Sequence, residues 1–198
     1  RLEMQKRLIK KISQYIDAGF PILYINSFED DKIDSMIEEL GMGKEILEWN
    51  GAKGLVDFKT KNPQLTISNS LATVLDLFLS KDEIERKIMV LKDIHSCISE
   101  PEVIAKLKII VNLINQGTDA TIIIISSVLV IPPELEKYIT ILEMDYLSVE
   151  EIKALVRTFM EENQLPMIKD ELLNEFAVSF KGLSEFEICN LLALAYSD

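Results

Sequence analysis

Thr121-Ile-Ile-Ile-Ile-Ser126 and Ile88-Met-Val-Leu-Lys-Asp93 are the two stretches that decide the fold of this sequence. Each is short, almost wholly apolar, and ends on polar residues. A strand covered on one face alternates apolar and polar side chains. A run that is apolar throughout has to be covered on both faces, which is the signature of a mostly parallel sheet between helical layers. Pro21-Ile-Leu-Tyr-Ile-Asn26 reads the same way, Glu45 to Trp49 can form a strand, and Ile139 to Met144 is the candidate fifth.

Helices fill the spaces between these runs. Leu2 to Ala18 places Leu8, Ile9, Ile12 and Ile16 on one face and closes at Gly19; Asp31 to Leu40 turns Ile33, Met36, Ile37 and Leu40 inward and ends at Gly41 and Gly43. Asn50-Gly51 is a turn signal, and Ala52 to Ser68, with Pro63, reads as loop. Leu71, Val74, Leu75 and Phe78 mark another helix. Ser99 and Glu102 stand at capping-box spacing, with Pro101 near the first turn of a helix that runs to about Gln116 and stops at Gly117. After Asp145 only helices are expected: Ser148 with Glu151 and Ser184 with Glu187 form two more capping boxes, with a helix of about Lys169 to Ser179 between them. The alternation predicts a three-layer α/β core over residues 1–145 and a small helical subdomain over 146–198.

Composition narrows the function. The 198 residues are 48% apolar and 27% charged, enough for a real core, and no stretch approaches a membrane span. A net charge of −12 would repel a phosphate backbone, and no basic stripe with aromatic residues interrupts it, so direct nucleic-acid binding is not expected. Cys97 and Cys189 lack framework spacing and fit a reducing, cytoplasmic setting. The chain starts at Arg1 without an initiator Met and stops in an apolar run, LLALAYSD, which leads us to expect a segment of a longer protein.

In such a sheet ligands gather at the carboxyl ends of the strands. The loop after Asn26 reads Ser27-Phe-Glu-Asp-Asp-Lys32. A phosphate-binding G-x-x-x-x-G-K-[ST] loop would stand here; this one has no glycine, and its carboxylates occupy a helix end that would otherwise attract an anion. Gly41-Met-Gly-Lys44 contains a Gly-Lys pair, but Glu45 follows it and it lies after a helix and before a strand, the wrong order. Gly51-Ala-Lys-Gly54 reads as a plain turn, with Lys53 the one candidate phosphate contact. Asp93 ends its strand where an acidic residue holds Mg²⁺ in phosphoryl-transfer enzymes, yet Ile94 and His95 follow in place of a water-activating Glu. His95 shares its loop with Cys97. One His and two distant Cys are too few for zinc, and no third group is evident to orient a Cys–His pair. Ser126 and Ser127 can contact a ligand or terminate the strand. No arginine lies between Arg86 and Arg157, so an arginine finger is missing where one would be expected. Trp49 reads as packing.

Taken in order, Ile88–Asp93, TIIIISS, Ile131-Pro-Pro-Glu-Leu-Glu-Lys137 and Leu147-Ser-Val-Glu-Glu-Ile152 resemble an AAA-type ATPase module. Gly182-Leu-Ser-Glu-Phe-Glu-Ile-Cys-Asn-Leu191 is similar to that family's last lid helix. Ile22-Leu-Tyr-Ile25 followed by acidic residues, Glu48-Trp49 before Gly54-Leu55, and Leu91-Lys-Asp-Ile-His95 resemble more narrowly the N-terminal, degenerate AAA-like domain of ATPases from bacteria, cyanobacteria and algal plastids, in which a complete domain follows. The likeness spans nearly the whole chain. It implies a P-loop NTPase-like core with a helical lid, Asp93 as the vestige of the Walker B aspartate, and Ser126 or Ser127 as that of the sensor. The Walker A lysine, catalytic glutamate and arginine finger have no counterpart.

The vestigial nucleotide crevice is then expected to comprise Ser27, Asp93, His95, Ser126 and Ser127. The resemblance also implies ATP and Mg²⁺ as cofactors of the parent chain and none in this segment. As partner it implies a downstream AAA domain of the same polypeptide, and it allows a homo-oligomer. Three functions fit: a non-catalytic module that positions or regulates a downstream ATP-hydrolysing domain; a weak nucleotide-binding domain working through Lys53, Asp93 and His95; or an interaction domain using the loop around Lys59 to Pro63 or the acidic first loop. The first is the expectation, with an ATPase as parent and this segment not catalytic.

Overall fold

The computed structural model describes residues 2–27, 30–41, 43–64, 70–143 and 147–197, without the side chains of residues 2–5, 30, 31 and 143. Its contacts divide the chain into two compact units, Ile9–Met144 and Arg1–Leu8 with Asp145–Asp198.

The first unit is built on a single sheet of β1 (Ile22–Asn26), β2 (Glu45–Asn50), β3 (Gly54–Asp57), β4 (Lys87–Lys92), β5 (Ala120–Ser126) and β6 (Ile139–Glu143). The spatial order is β3-β2-β4-β5-β1-β6. Every neighbouring pair is parallel except β2 with β3. All of β5 is buried, as its unbroken isoleucine run requires. Its helices are the part of α1 (Leu2–Asp17) from Ile9 onward, α2 (Asp30–Leu40), α3 (Leu71–Leu75), the single-turn α4 (Lys81–Ile84) and α5 (Pro101–Asn115).

Because side chains alternate along a strand, the register sorts the core into two faces. Ile22, Tyr24, Leu47, Trp49, Met89, Leu91, Ile122 and Ile124 share one cluster with Val74 and Leu75 of α3 and Leu107 and Val111 of α5. Leu23, Ile25, Val90, Ile123 and Ile125 point the other way and are equally buried. α2 covers that second face, since its Asp34 reaches Lys92 there.

Three expectations need correction. The stretch read as loop contains β3. Asn50 Oδ1 accepts the N–H groups of Ala52 and Lys53 at 3.1 and 2.8 Å, and Gly54 takes φ +73°, so the chain reverses into a tight hairpin. Gly54-Leu-Val-Asp57 is too short for periodicity to announce it. Second, Ser99 does not cap α5: Glu100 is the residue before the helix, with no side-chain cap bond. Pro101 takes the first helical position, where its missing N–H costs nothing. Third, the helix around Leu71 stops at Leu75 and tightens into a 3₁₀ turn, Asp76–Phe78, before the separate α4. The expected Met144 end of the last strand lies outside the described residues.

The second unit carries α6 (Val149–Glu162), α7 (Asp170–Ser179) and α8 (Glu185–Ala195). Both expected capping boxes form, with Ser148 and Ser184 accepting from Glu151 and Glu187 and each glutamate returning a bond to its cap's backbone. No helix among the described residues is long and apolar enough to cross a membrane.

Candidate functional site

β1 and β5 are neighbours whose chains leave in opposite directions. β1 continues through α2 to β2 on one side of the sheet, and β5 continues to β6 on the other. Such a switch point opens a crevice at the carboxyl ends of the two strands. In this molecule the crevice is bridged by the protein itself. Asn26 is paired with Ser126, and the N–H of Ser27 donates to the Ser126 carbonyl at 3.2 Å. With its amide turned to satisfy both ends, Asn26 Nδ2 donates to the carbonyls of Ser126 and Ser127 at 3.0 and 3.3 Å. Asn26 closes β1 and Asp30 opens α2, leaving only residues 27–29 between them, whereas the phosphate-loop motif needs about eight. Phe28 and Glu29 lie outside the described residues, as do the side chains of Asp30 and Asp31, so the carboxylate crowding expected there falls outside them too.

The loop after β5 is tied inward. Ser126 Oγ accepts from the N–H of Val128 at 3.2 Å. Tyr24, fully buried below, donates its hydroxyl to the Val128 carbonyl at 2.7 Å and accepts from the Val130 N–H at 3.3 Å. His95 Nδ1 lies 3.4 Å from Ser126 Oγ. Of the sequence-selected residues, Ser27, His95, Ser126 and Ser127 therefore meet at this junction. Asp93 is exposed, held at φ +53° and ψ +43°, with its N–H bonded to the Ile125 carbonyl at 2.9 Å. Aspartate tolerates this left-handed turn, which sends Ile94 into the core. Lys53 is exposed in the β2–β3 turn. It lies at the carboxyl end of the sheet but β4 separates β2 from β5, a lateral offset of about 10 Å.

Two sequence candidates have other employment. A Cβ on Gly41 would run into the side chain of Ile46, so close packing accounts for that glycine. Lys44 pairs with Asp119 at 2.9 Å, at the amino ends of β2 and β5, opposite the crevice. Burial, with Glu100 adding to it, pushes the Cys97 thiol above its ordinary pKa, which leaves it a poor nucleophile beside His95.

Sequence reasoning missed a charged cluster on the α2 face. Lys92 Nζ lies 2.9 Å from the Asp34 carboxylate and 2.9 Å from Glu48 Oε1. Lys61 Nζ lies 2.7 Å from the same Glu48 oxygen and 3.2 Å from Asp34, and stacks 4.0 Å over the Phe58 ring. Asn50 donates to the other Glu48 oxygen at 2.9 Å. Burial alone would raise the Glu48 pKa, but hydrogen bonds from Lys61, Lys92 and Asn50 outweigh it and hold the carboxyl below its ordinary value. Burial likewise opposes the charge on Lys92, and Glu48 with Asp34 reverses that, keeping the ammonium above its ordinary value. The available signal was opposite charges inside two apolar strand runs, since a buried charge demands a partner. The cluster also claims part of the Lys59–Pro63 loop: Lys61, at φ +59°, turns inward, and Asp57 Oδ2 caps the turn through the Thr60 N–H at 2.9 Å.

A family described as SpoVK-like AAA ATPase, N-terminal domain, matches residues 8–144. The chain is 29% identical over 191 residues to the uncharacterized AAA domain-containing protein ycf46 of Guillardia theta, covering 93% of this chain and 36% of that one. It spans about a third of the length of the curated relatives it matches. Among solved structures it is similar to a DNA replication initiation factor, at a TM-score of 0.54 and 13% identity over 95% of this chain and 60% of that chain. It is also similar to C. elegans PCH-2, at 0.52 and 14% over 98% and 63%. At such identities these two likenesses bear on the fold, an AAA-type α/β architecture.

Proposed function

We propose, from the premise that this chain belongs to the SpoVK-like AAA ATPase N-terminal domain family, that it is a non-catalytic AAA module serving as structural or regulatory partner of an ATP-hydrolysing domain in a longer parent polypeptide. In this reading residues 1–145 are the AAA-like core and 146–198 its helical lid, and ATP and Mg²⁺ are used by the parent and not by this segment.

The observation that carries the reading is the bridged switch point. The backbone N–H that a phosphate would need is donated to the Ser126 carbonyl, and the Asn26 amide closes the same gap. The groups present do not fit a magnesium triphosphate. The connection over residues 27–29 is too short to wrap a phosphate chain. Lys92, the lysine nearest Asp93 in sequence, is spent on Asp34 and Glu48. Asp93 is followed by Ile94, whose side chain is buried. Loss of the chemistry with retention of the sheet order suits a module kept for its surfaces.

Asp93→Asn in the longer parent tests this. Asparagine keeps the left-handed turn while removing the charge that would hold a metal. ATP turnover is expected to stay within about twofold; a fall of about a hundredfold would mean that Asp93 carries a catalytic ion, and the reading would be wrong.

A further inference from the structure

Asn50-Gly51 is the one Asn-Gly step in the 198 residues, and it stands where β2 turns into β3. A backbone nitrogen that follows asparagine can attack the side-chain carbonyl carbon, and glycine hinders that attack least because it has no Cβ. The space around Gly51 is open: the residue is exposed, and a Cβ built there would meet nothing within 4 Å. Its N–H makes no backbone bond among the described residues, so ring closure breaks none. Asn50 is held at both ends of its amide. Oδ1 accepts from the N–H groups of Ala52 and Lys53 at 3.1 and 2.8 Å. The same two donors would stabilise the negative charge that attack develops on that oxygen. Nδ2 donates to Glu48 Oε2 at 2.9 Å.

We propose that Asn50 is a site of spontaneous deamidation, and that the change opens the charged cluster of Asp34, Glu48, Lys61 and Lys92. The Gly51 nitrogen bonds to Asn50 Cγ and gives up its proton; the Cγ–Nδ2 bond breaks, and ammonia leaves with that proton. Water then opens the cyclic imide at either carbonyl, giving aspartate or isoaspartate. Nothing is oxidised or reduced, and water is the sole co-reactant. Neither product can replace the amide. Before the reaction the cluster pairs two carboxylates with two ammonium groups and is neutral. Afterwards a third carboxylate faces the Glu48 oxygen with no proton between them. The Glu48 side chain is 3% exposed, so water screens that repulsion poorly. Isoaspartate also lengthens the backbone by one carbon, at the residue that pairs with Gly54 to close the hairpin. Deamidation thereby marks aged copies of the chain with a loosened β2–β3 edge.

Incubating the folded 198-residue chain and following it by tryptic mass spectrometry tests the proposal. Trypsin releases residues 45–53, in which Asn50 is the only side-chain amide. In the time that converts about half of the free 45–53 peptide, at least about a tenth of the folded chain is expected to convert. Conversion at about pH 8 should outrun that at about pH 6 by at least about tenfold, because the attacking nitrogen must lose its proton. Gly51→Ala, which the open space accommodates, is expected to slow conversion by about tenfold or more. A smaller conversion, a flat pH profile or an unchanged rate in Gly51→Ala overturns the site. Asn50→Asp, one of the two products, is expected to lower the thermal midpoint by about 5 °C or more. In a Glu48→Gln background, where amide and carboxylate have exchanged places, that drop should shrink to less than about half. A drop that is not halved there, or no drop at all, overturns the opening of the cluster.

Discussion

Glu48 is a carboxylate in the middle of a buried strand, and three hydrogen-bond donors explain why it stays ionised. Lys61, Lys92 and Asn50 together satisfy both of its oxygens. Removing one member of such a network leaves the remaining charges under-compensated in a low-dielectric site. Glu48→Gln is therefore expected to destabilise the chain by about 3 kcal/mol at neutral pH, measured by urea unfolding. The pH dependence follows from the direction of the shift. The folded-state pKa of Glu48 lies below its ordinary 4.5, so its contribution is complete above that value and is lost as pH falls through the range beneath it. The gap between wild type and Glu48→Gln should narrow in acid below about pH 4.5; a constant gap would show that charge is not the cause. Legibility at this scale was uneven. The missing glycines after Asn26, and Ile94 after Asp93, could be read directly, because a motif's absence is a local fact. The convergence of Asp34, Glu48, Lys61 and Lys92 could not, because it depends on β2 lying beside β4 and on a turn bringing Lys61 back to the sheet.

Ser148 and Ser184 show what an element's ends contribute. Each accepts its glutamate's backbone N–H, at 3.2 and 3.1 Å, through its hydroxyl and donates its own backbone N–H to that glutamate's carboxylate. At Ser148 the box is reinforced from α1, where Arg7 lies 3.1 Å from Glu151. Burial alone would raise the Glu151 pKa, but the Ser148 backbone and Arg7 reverse this and keep the carboxyl below its ordinary value. Ser148→Ala and Ser184→Ala should each cost about 1 kcal/mol in unfolding free energy, and effects below about 0.3 kcal/mol would mean that these caps are ornamental. Capping boxes were visible in the sequence because they need only local spacing. The same spacing at Ser99 misled, since Pro101 already starts α5 and the helix begins one residue later. Tertiary context likewise hid β3, a four-residue strand that exists because β2 offers it an edge.

At the scale of the whole molecule, a sheet order of β3-β2-β4-β5-β1-β6 places β1 and β5 side by side where a ligand crevice would open. The alternation of apolar strands with helices made this layered fold legible. What the sequence could not reveal was how the ends of β1 and β5 are joined, because Ser27, Asn26 and Ser126 meet only through the β1–β5 register. The molecule keeps the α/β architecture of its family, and at the β1–β5 junction Asn26 and Ser27 bond to Ser126 and Ser127. Isothermal titration of Mg-ATP into the 198-residue chain tests this most directly. No saturable heat is predicted up to about 1 mM nucleotide; a dissociation constant of about 10 μM, some 7 kcal/mol of binding free energy, would contradict a crevice that is closed.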